Sequence, residues 1–388
     1  MSSSLECNLW IAPHGERGEW VVDDRLIREF ADLYGRLKSV GDTPLEPLQY
    51  VLDRIFVELI EQAESDLERV FLRELFDDLR LLLRGHVDFY SARKGGVVPP
   101  LGRRTQLRED GFFITNISNE CLGDIRRSVA PMLGVLRMNA SSCKFDRVDL
   151  SVNSGRVIRR VVRLLNREFA ANGVLNDVEG LLRRRARVIG VALELSVPGS
   201  SWWKLPTEPG KWPKTLYAHV DRGIDAPKAI VYLTDVGPLN GPTSCYPGAY
   251  QQVNKNPLQD LIGRSLETIG SDPDSPLHAY YELSSHPLQN DRFRSHFMRL
   301  PVNLRFNSHF GWDVIPQSRL EEFLVDSEVQ ILGPAGTSFV FDGAELLHRG
   351  GLIEEGERVV LQVVFGESTL RDRVARVLRF AIRKLRRG

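Results

Sequence analysis

The sequence predicts a mainly β fold with helices, a double-sheet jelly roll preceded by a helical extension. Two observations carry this. Short β-branched and aromatic runs recur between Gly and Pro from residue 101 onward, and helical apolar spacing is confined largely to the first hundred residues. Many short strands separated by turn residues are the pattern of a double-sheet jelly roll, the cupin-like architecture.

In chain order, Leu26, Ile27, Phe30, Tyr34 and Leu37 keep helical spacing until Gly41-Asp-Thr-Pro44 breaks the run. Leu48, Val51, Leu52, Ile55, Phe56 and Leu59 form a second run, and Leu67, Val70, Phe71, Leu75, Leu79 and Leu82 a third. Lys94-Gly-Gly-Val-Val-Pro-Pro100 has the composition of a linker, so residues 1–100 read as an N-terminal helical extension. Arg187–Val197 is strand-like and stops at Pro198-Gly. Ala229–Leu233, Ser338–Phe341 and Val359–Phe365 are further apolar runs between turns. Residues 251–300 hold three histidines, several prolines and little periodicity, and read as an insertion that could serve as a lid. Residues 101–369 are therefore the expected catalytic unit. Residues 370–388 carry seven Arg and one Lys against one Asp, a net charge of +7, along an apolar helical stripe.

Composition narrows the function classes. The 388 residues have 42% hydrophobic and 26% charged side chains, ordinary for a globular chain. Net charge is zero, so no nucleic-acid partner is expected. Cys7, Cys121, Cys143 and Cys245 are scattered without a CxxC pair, which argues against a disulfide framework or a cysteine zinc site and suits a reducing compartment. No apolar run approaches the ~20 residues of a membrane span. The first residues lack the pattern of a signal peptide, and a cytoplasmic location is the expectation.

The chemistry is concentrated in a few residues. In His219-Val220-Asp221 the period of an extended strand puts both polar side chains on one face. With His348 from a remote strand they make two imidazoles and one carboxylate, the facial set that holds non-haem Fe(II) with positions left open. Arg358, ten residues after His348, suits a bidentate clamp for the carboxylate of a bound oxo-acid. Gln362 falls on the same strand face as Arg358. His278, His286, His296 and His309 read as loop or surface residues. Trp202, Trp203 and Trp212 read as rim packing, and Glu345 as a solvated turn acid.

The surroundings of these residues resemble a known family. Tyr217-Ala-His-Val-Asp221, Ala229-Ile-Val-Tyr-Leu-Thr-Asp235, Asn240-Gly-Pro and Tyr246-Pro-Gly248 are similar to the core of phytanoyl-CoA dioxygenase-type oxygenases. So are Gly336-Thr-Ser-Phe-Val-Phe-Asp-Gly343, Leu346-Leu-His-Arg-Gly350 and Arg358-Val-Val-Leu-Gln-Val-Val-Phe365, with Leu107-Arg-Glu-Asp-Gly-Phe-Phe-Ile114 upstream. Gly350 stands where many members carry a small hydroxyl residue. The resemblance implies a double-stranded β-helix with outer helices. It also implies Fe(II) and 2-oxoglutarate as cofactors, O2 and a small-molecule substrate as partners, and His219, Asp221 and His348 as metal ligands. Arg358 would hold the distal carboxylate of 2-oxoglutarate, with Gln362 beside it. Halogenating relatives lack the carboxylate ligand, so Asp221 points to hydroxylation or desaturation. Two readings stay open beside this one: an iron oxygenase that does not use 2-oxoglutarate, and a non-catalytic β-helix binding module. The basic stripe of 370–388 would in either case suit peripheral contact with an anionic membrane.

Overall fold

In the computed structural model, residues 18–41, 43–92, 106–140, 146–148, 155–182, 184–198, 214–215, 217–221, 223–224, 226–247, 256–266, 268–282, 287–301, 303–305, 319–351 and 353–367 are described. The tail 370–388, the three tryptophans of 202–212, His286, His309 and the linker 94–100 lie outside them.

The helices are α1 (Asp24–Val40), α2 (Leu45–Glu61), α3 (Asp66–Ser91), α4 (Gln106–Glu109), α5 (Asn119–Ala140), α6 (Gly155–Ala171), α7 (Val174–Leu182), α8 (Pro257–Ser265), α9 (Pro276–Tyr281), α10 (Asp291–Phe297) and α11 (Arg319–Asp326). The strands are β1 (Phe112–Asn116), β2 (Asp146–Val148), β3 (Arg187–Ser196), β4 (Pro227–Tyr232), β5 (Thr243–Cys245), β6 (Val329–Ile331), β7 (Thr337–Asp342), β8 (His348–Arg349) and β9 (Arg358–Gly366).

Local signals start and stop the first helices where the sequence says they should. Asp23 caps α1 by accepting from Arg25 N, and Gly41 closes it at φ 68°, a left-handed conformation that costs glycine little. Ser65 and Glu68 form a reciprocal capping box on α3. All three expected helical runs lie within α1, α2 and α3.

Two antiparallel sheets form the β part. The larger has the order β1-β7-β4-β9-β3-β2 and the smaller β6-β5-β8. Alternation divides the larger sheet's side chains into two sets. Ala229, Val231, Leu361, Val363 and Phe365 face one way, into a core shared with Ile125 and Val129 of α5, Val161, Leu165 and Phe169 of α6, and Val178 of α7. Ile230, Tyr232, Phe339, Phe341 and Val360 face the other way and meet Cys245 of β5, Ile331 of β6 and Leu346. The second cluster fills the space between the two sheets.

The strand runs expected from sequence coincide with β3, β4, β7 and β9, with Val197 and Leu233 one residue past the ends of β3 and β4. Outer helices were implied by the resemblance alone, and no residue run had marked the helical layer α5–α7. Its signal is present, because Val161, Leu165 and Phe169 recur every four residues.

Residues 251–300 show little periodicity in the sequence, yet they hold helices. Their described part is α8, α9 and α10 with a short 3₁₀ turn at Pro287–Gln289. Leu258, Leu261, Ile262, Leu277, Tyr281, Phe293 and Phe297 are buried in one core with the apolar faces of α1, α2 and α3. Phe71 of α3 meets the Phe293 ring edge-on at 5.8 Å. His296, expected at the surface, is buried there, with its Nδ1 2.6 Å from the Tyr281 hydroxyl. Six helices from two distant parts of the chain thus make one helical module. Among the described residues, no helix is long and apolar enough to cross a membrane.

Candidate metal centre

His219 and Asp221 lie just before β4, and His348 opens β8. The two histidines are paired through their backbones: His219 N donates to His348 O at 2.9 Å, and His348 N donates back to His219 O at 2.9 Å. On its other side His348 pairs with Cys245 of β5, so the His219 segment prolongs the smaller sheet. The imidazoles project from neighbouring chains with ring centroids 4.5 Å apart. Phe341 packs against the His348 ring at 4.6 Å.

Each ring is oriented by its own strand. His219 Nδ1 donates to Tyr217 O at 2.9 Å, and His348 Nδ1 donates to Leu346 O at 2.8 Å. A carbonyl accepts only, so each Nδ1 carries the proton and each Nε2 is left with its lone pair. Burial, reinforced by the neighbouring His348 ring, lowers His219 to about 3, and burial lowers His348 as well. Both rings are therefore neutral at physiological pH, the state in which imidazole binds metal. Tyr217, whose carbonyl orients His219, holds φ 70°, a left-handed conformation that costs a non-glycine residue about 1–3 kcal/mol.

Asp221 completes the group. One ligand atom each from His219, Asp221 and His348 lie within 4.8 Å of one another, and His348 Nε2 is 3.9 Å from Asp221 Oδ2. Lys228 of β4 places Nζ 2.7 Å from the same oxygen. Burial tends to raise the Asp221 carboxyl, but His348 and Lys228 outweigh it and leave it below the ordinary carboxylate value. The carboxylate occupies space that only glycine leaves open, since a Cβ on Gly343 would stand 2.1 Å from Asp221 Oδ2. Asp221 N in turn donates to Gly343 O at 2.6 Å. Two neutral imidazole nitrogens and an ionised carboxylate, each fixed from behind, fit a divalent transition metal.

Arg358 opens β9 with its side chain on the face that looks between the sheets. It is 6% exposed. Nη1 donates to Gly241 O at 2.5 Å, while Nε is buried without a partner. Arg358 forms no ion pair with any described residue, and burial lowers its pKa below the ordinary guanidinium value. Gln362 shares that face, and its Nε2 donates to the buried Glu194 on β3 at 2.9 Å. Glu345 is no simple solvated acid, because it pairs with Lys38 of α1.

Sequence reasoning missed Lys228, Glu194 and the strained Tyr217. Gly343 was visible as the end of a Gly-flanked strand, but its steric role appears only once Asp221 lies against it. No family model matches the chain, and no curated protein matches it. Among solved structures, it is similar to the non-haem α-ketoglutarate-dependent epimerase SnoN from nogalamycin biosynthesis, with 12% identity over 68% of this chain and 80% of that one, TM-score 0.34. HygX from Streptomyces hygroscopicus, solved with nickel and 2-oxoglutarate, shows 12% identity over 68% and 85%, TM-score 0.35. EctD from S. alaskensis, solved with 2-oxoglutarate and 5-hydroxyectoine, shows 13% identity over 67% and 73%, TM-score 0.34. At this level of likeness the ligands of those proteins remain theirs, and the chemistry of the site stands on its own residues.

Proposed function

We propose that this chain is a non-haem Fe(II)- and 2-oxoglutarate-dependent oxygenase on a double-stranded β-helix, of the phytanoyl-CoA dioxygenase-like kind. It would hydroxylate an unactivated C–H bond of a small-molecule or lipid-linked metabolite. In this reading residues 101–369 are the catalytic unit, 1–100 the helical extension and 251–300 the insertion. One observation carries the reading: two histidines that both spend Nδ1–H on backbone carbonyls converge with an ionised aspartate on a single point. That arrangement leaves half of an octahedral shell to other ligands.

His219, Asp221 and His348 would hold the metal, whose contribution when bound is to activate O2 and couple its reduction to oxidation of the two substrates. The remaining steps belong to the protein. Arg358 would receive the distal carboxylate of 2-oxoglutarate, because its unpartnered Nε in a dry setting calls for an anionic acceptor. Glu194 and Gln362, tied to each other, would close the same face of the pocket. The apolar cluster of Phe339, Phe341 and Leu346 excludes water beside His348. Lys228 would keep Asp221 ionised and limit it to one oxygen toward the metal.

The test is anaerobic reconstitution with Fe(II), addition of 2-oxoglutarate, and measurement of O2-dependent succinate release with and without His219→Ala. Succinate that depends on both O2 and His219 supports the reading. Metal uptake without succinate would keep the iron site and remove 2-oxoglutarate from it, and absence of metal uptake would overturn both.

A further inference from the structure

Arg264 lies on α8, in the helical module rather than in either sheet, and is buried with 7% exposure. Its guanidinium is spent almost wholly on the chain segments that carry the metal-ligand candidates. Nη1 donates to Asp221 O at 2.8 Å and to Gly223 O at 2.9 Å, while Nη2 donates to Ala344 O at 3.0 Å. Asp260, one turn earlier on α8, accepts from Nε at 2.9 Å and fixes the plane of the fork. Ala344 sits directly after Gly343, the residue that makes room for the Asp221 carboxylate, and opens the turn that leads to His348. One planar group therefore ties the loop of the first histidine and the aspartate to the turn before the second histidine.

The helical module meets the same region elsewhere. Tyr217 and Ile224, on either side of Asp221, pack against its apolar core. Lys38 of α1 pairs with Glu345, next to Ala344. A cavity of about 210 Å³, lined by Tyr34, His86, Asp260, Arg264, Ala344 and Glu345 among others, lies between these contacts. Arg264 is among its lining residues and bonds to Asp221 O.

We propose that Arg264 is a positioning residue of the metal centre, setting the separation of Asp221 from His348 and passing the placement of the helical module on to the ligands. The proposal rests on the metal-binding reading above. The chemistry favours arginine in particular. Three carbonyls on two segments need donors that diverge from a rigid plane, which a lysine ammonium on a flexible stem does not supply. The Ala344 carbonyl is buried, so loss of its donor leaves it unsatisfied and free to shift.

The experiment uses the full chain and four variants: Arg264→Leu, Arg264→Lys, and the controls Arg305→Leu and Arg305→Lys. Arg305 is also a buried arginine of the helical module, donating to Leu300 O and Met298 O well away from the ligands. Co(II) affinity, the Co(II) visible spectrum and the thermal transition of the metal-free protein are measured for each. Arg264→Leu and Arg264→Lys are expected to weaken Co(II) by about tenfold or more and to change its spectrum, as loss of an outer partner of a metal ligand does. The Arg305 variants are expected to lower the thermal transition and leave Co(II) affinity and spectrum unchanged. If Arg264→Lys, which keeps the charge and fold, matches the wild type in both metal readouts, the positioning role is overturned. If the Arg305 variants disturb the metal as much as the Arg264 variants do, the effect is general loss of stability and the proposal fails. A wild-type chain that takes up no Co(II) overturns the metal-binding reading itself, a result distinguishable from the other two.

Discussion

The helical module and the space between the sheets each bury an arginine, and the two are treated very differently. Arg305 in the module donates to the carbonyls of Leu300 and Met298 and pairs with Glu19 at 2.7 Å. Its charge is answered from within the chain. Arg358 has one carbonyl, an unpartnered Nε and no ion pair among the described residues. Stripping a cation of water without an anion costs several kcal/mol, so a fold keeps such a residue where something outside the chain neutralises it. The contrast separates structural polarity from polarity held in reserve. It applies to the histidines too: His296 Nδ1 meets the Tyr281 hydroxyl inside a core, whereas Nδ1 of His219 and of His348 each meets a backbone carbonyl of its own segment and the two rings converge with Asp221.

The contrast can be broken at its strongest point by His219→Ala or His348→Ala. Either should abolish metal binding and turnover while far-ultraviolet circular dichroism and the thermal transition stay near wild type, since the apolar clusters do not depend on the ion. A variant that retains stoichiometric metal would sink the ligand assignment. Next in size, Gly343→Ala should weaken metal by about tenfold or more, because its Cβ and Asp221 Oδ2 cannot share the 2.1 Å between them. Isothermal titration of the metal-free protein measures it, and unchanged affinity would mean the Asp221 carboxylate is not held where it lies.

The two arginines give the next test. Arg358→Leu should raise the apparent 2-oxoglutarate constant at least tenfold, for a loss of about 2–5 kcal/mol, with iron affinity little changed. Its thermal stability should hold or rise, since a leucine there removes a buried charge that has no ion pair among the described residues. Arg305→Leu should do the reverse, destabilising by about 1–3 kcal/mol because it leaves the carbonyls of Leu300 and Met298 without their donor. Equal losses of stability in the two variants would erase the distinction. The smallest expected effect concerns residues 370–388, outside the described residues. If that segment contacts anionic lipid, each basic residue contributes about 1 kcal/mol, and co-sedimentation with anionic vesicles should fall on its deletion. Equal and negligible binding of both chains would remove the membrane reading.

Much of the β part was legible because an extended strand writes its burial into a few consecutive residues. Ile230 and Tyr232 against Ala229 and Val231 declare two faces without knowledge of any partner. His219, Asp221, His348 and Arg358 were legible as residue types at telling intervals. Partners supplied by distant backbone were not. Arg264 acts on three carbonyls, and carbonyls leave no mark in a sequence. Gly343 matters through a neighbour more than a hundred positions away. The helices α8–α10 escaped notice for a related reason. Each is only a few turns long, so pairs such as Leu277 with Tyr281 or Phe293 with Phe297 never accumulate into a run.

The shared core of α1–α3 and α8–α10 has a consequence for how the chain reaches its final form during synthesis. The first three helices leave the ribosome early, yet part of the core they share arrives only with residues 256–305. Until then Phe71, which meets Phe293 and His296 in the finished fold, lacks part of its cover. Pairings between such distant segments close late, because the intervening loop must be ordered first. Cutting the chain at the glycine- and proline-rich stretch near residue 97, where the sequence most resembles a boundary, would therefore divide this core between two fragments.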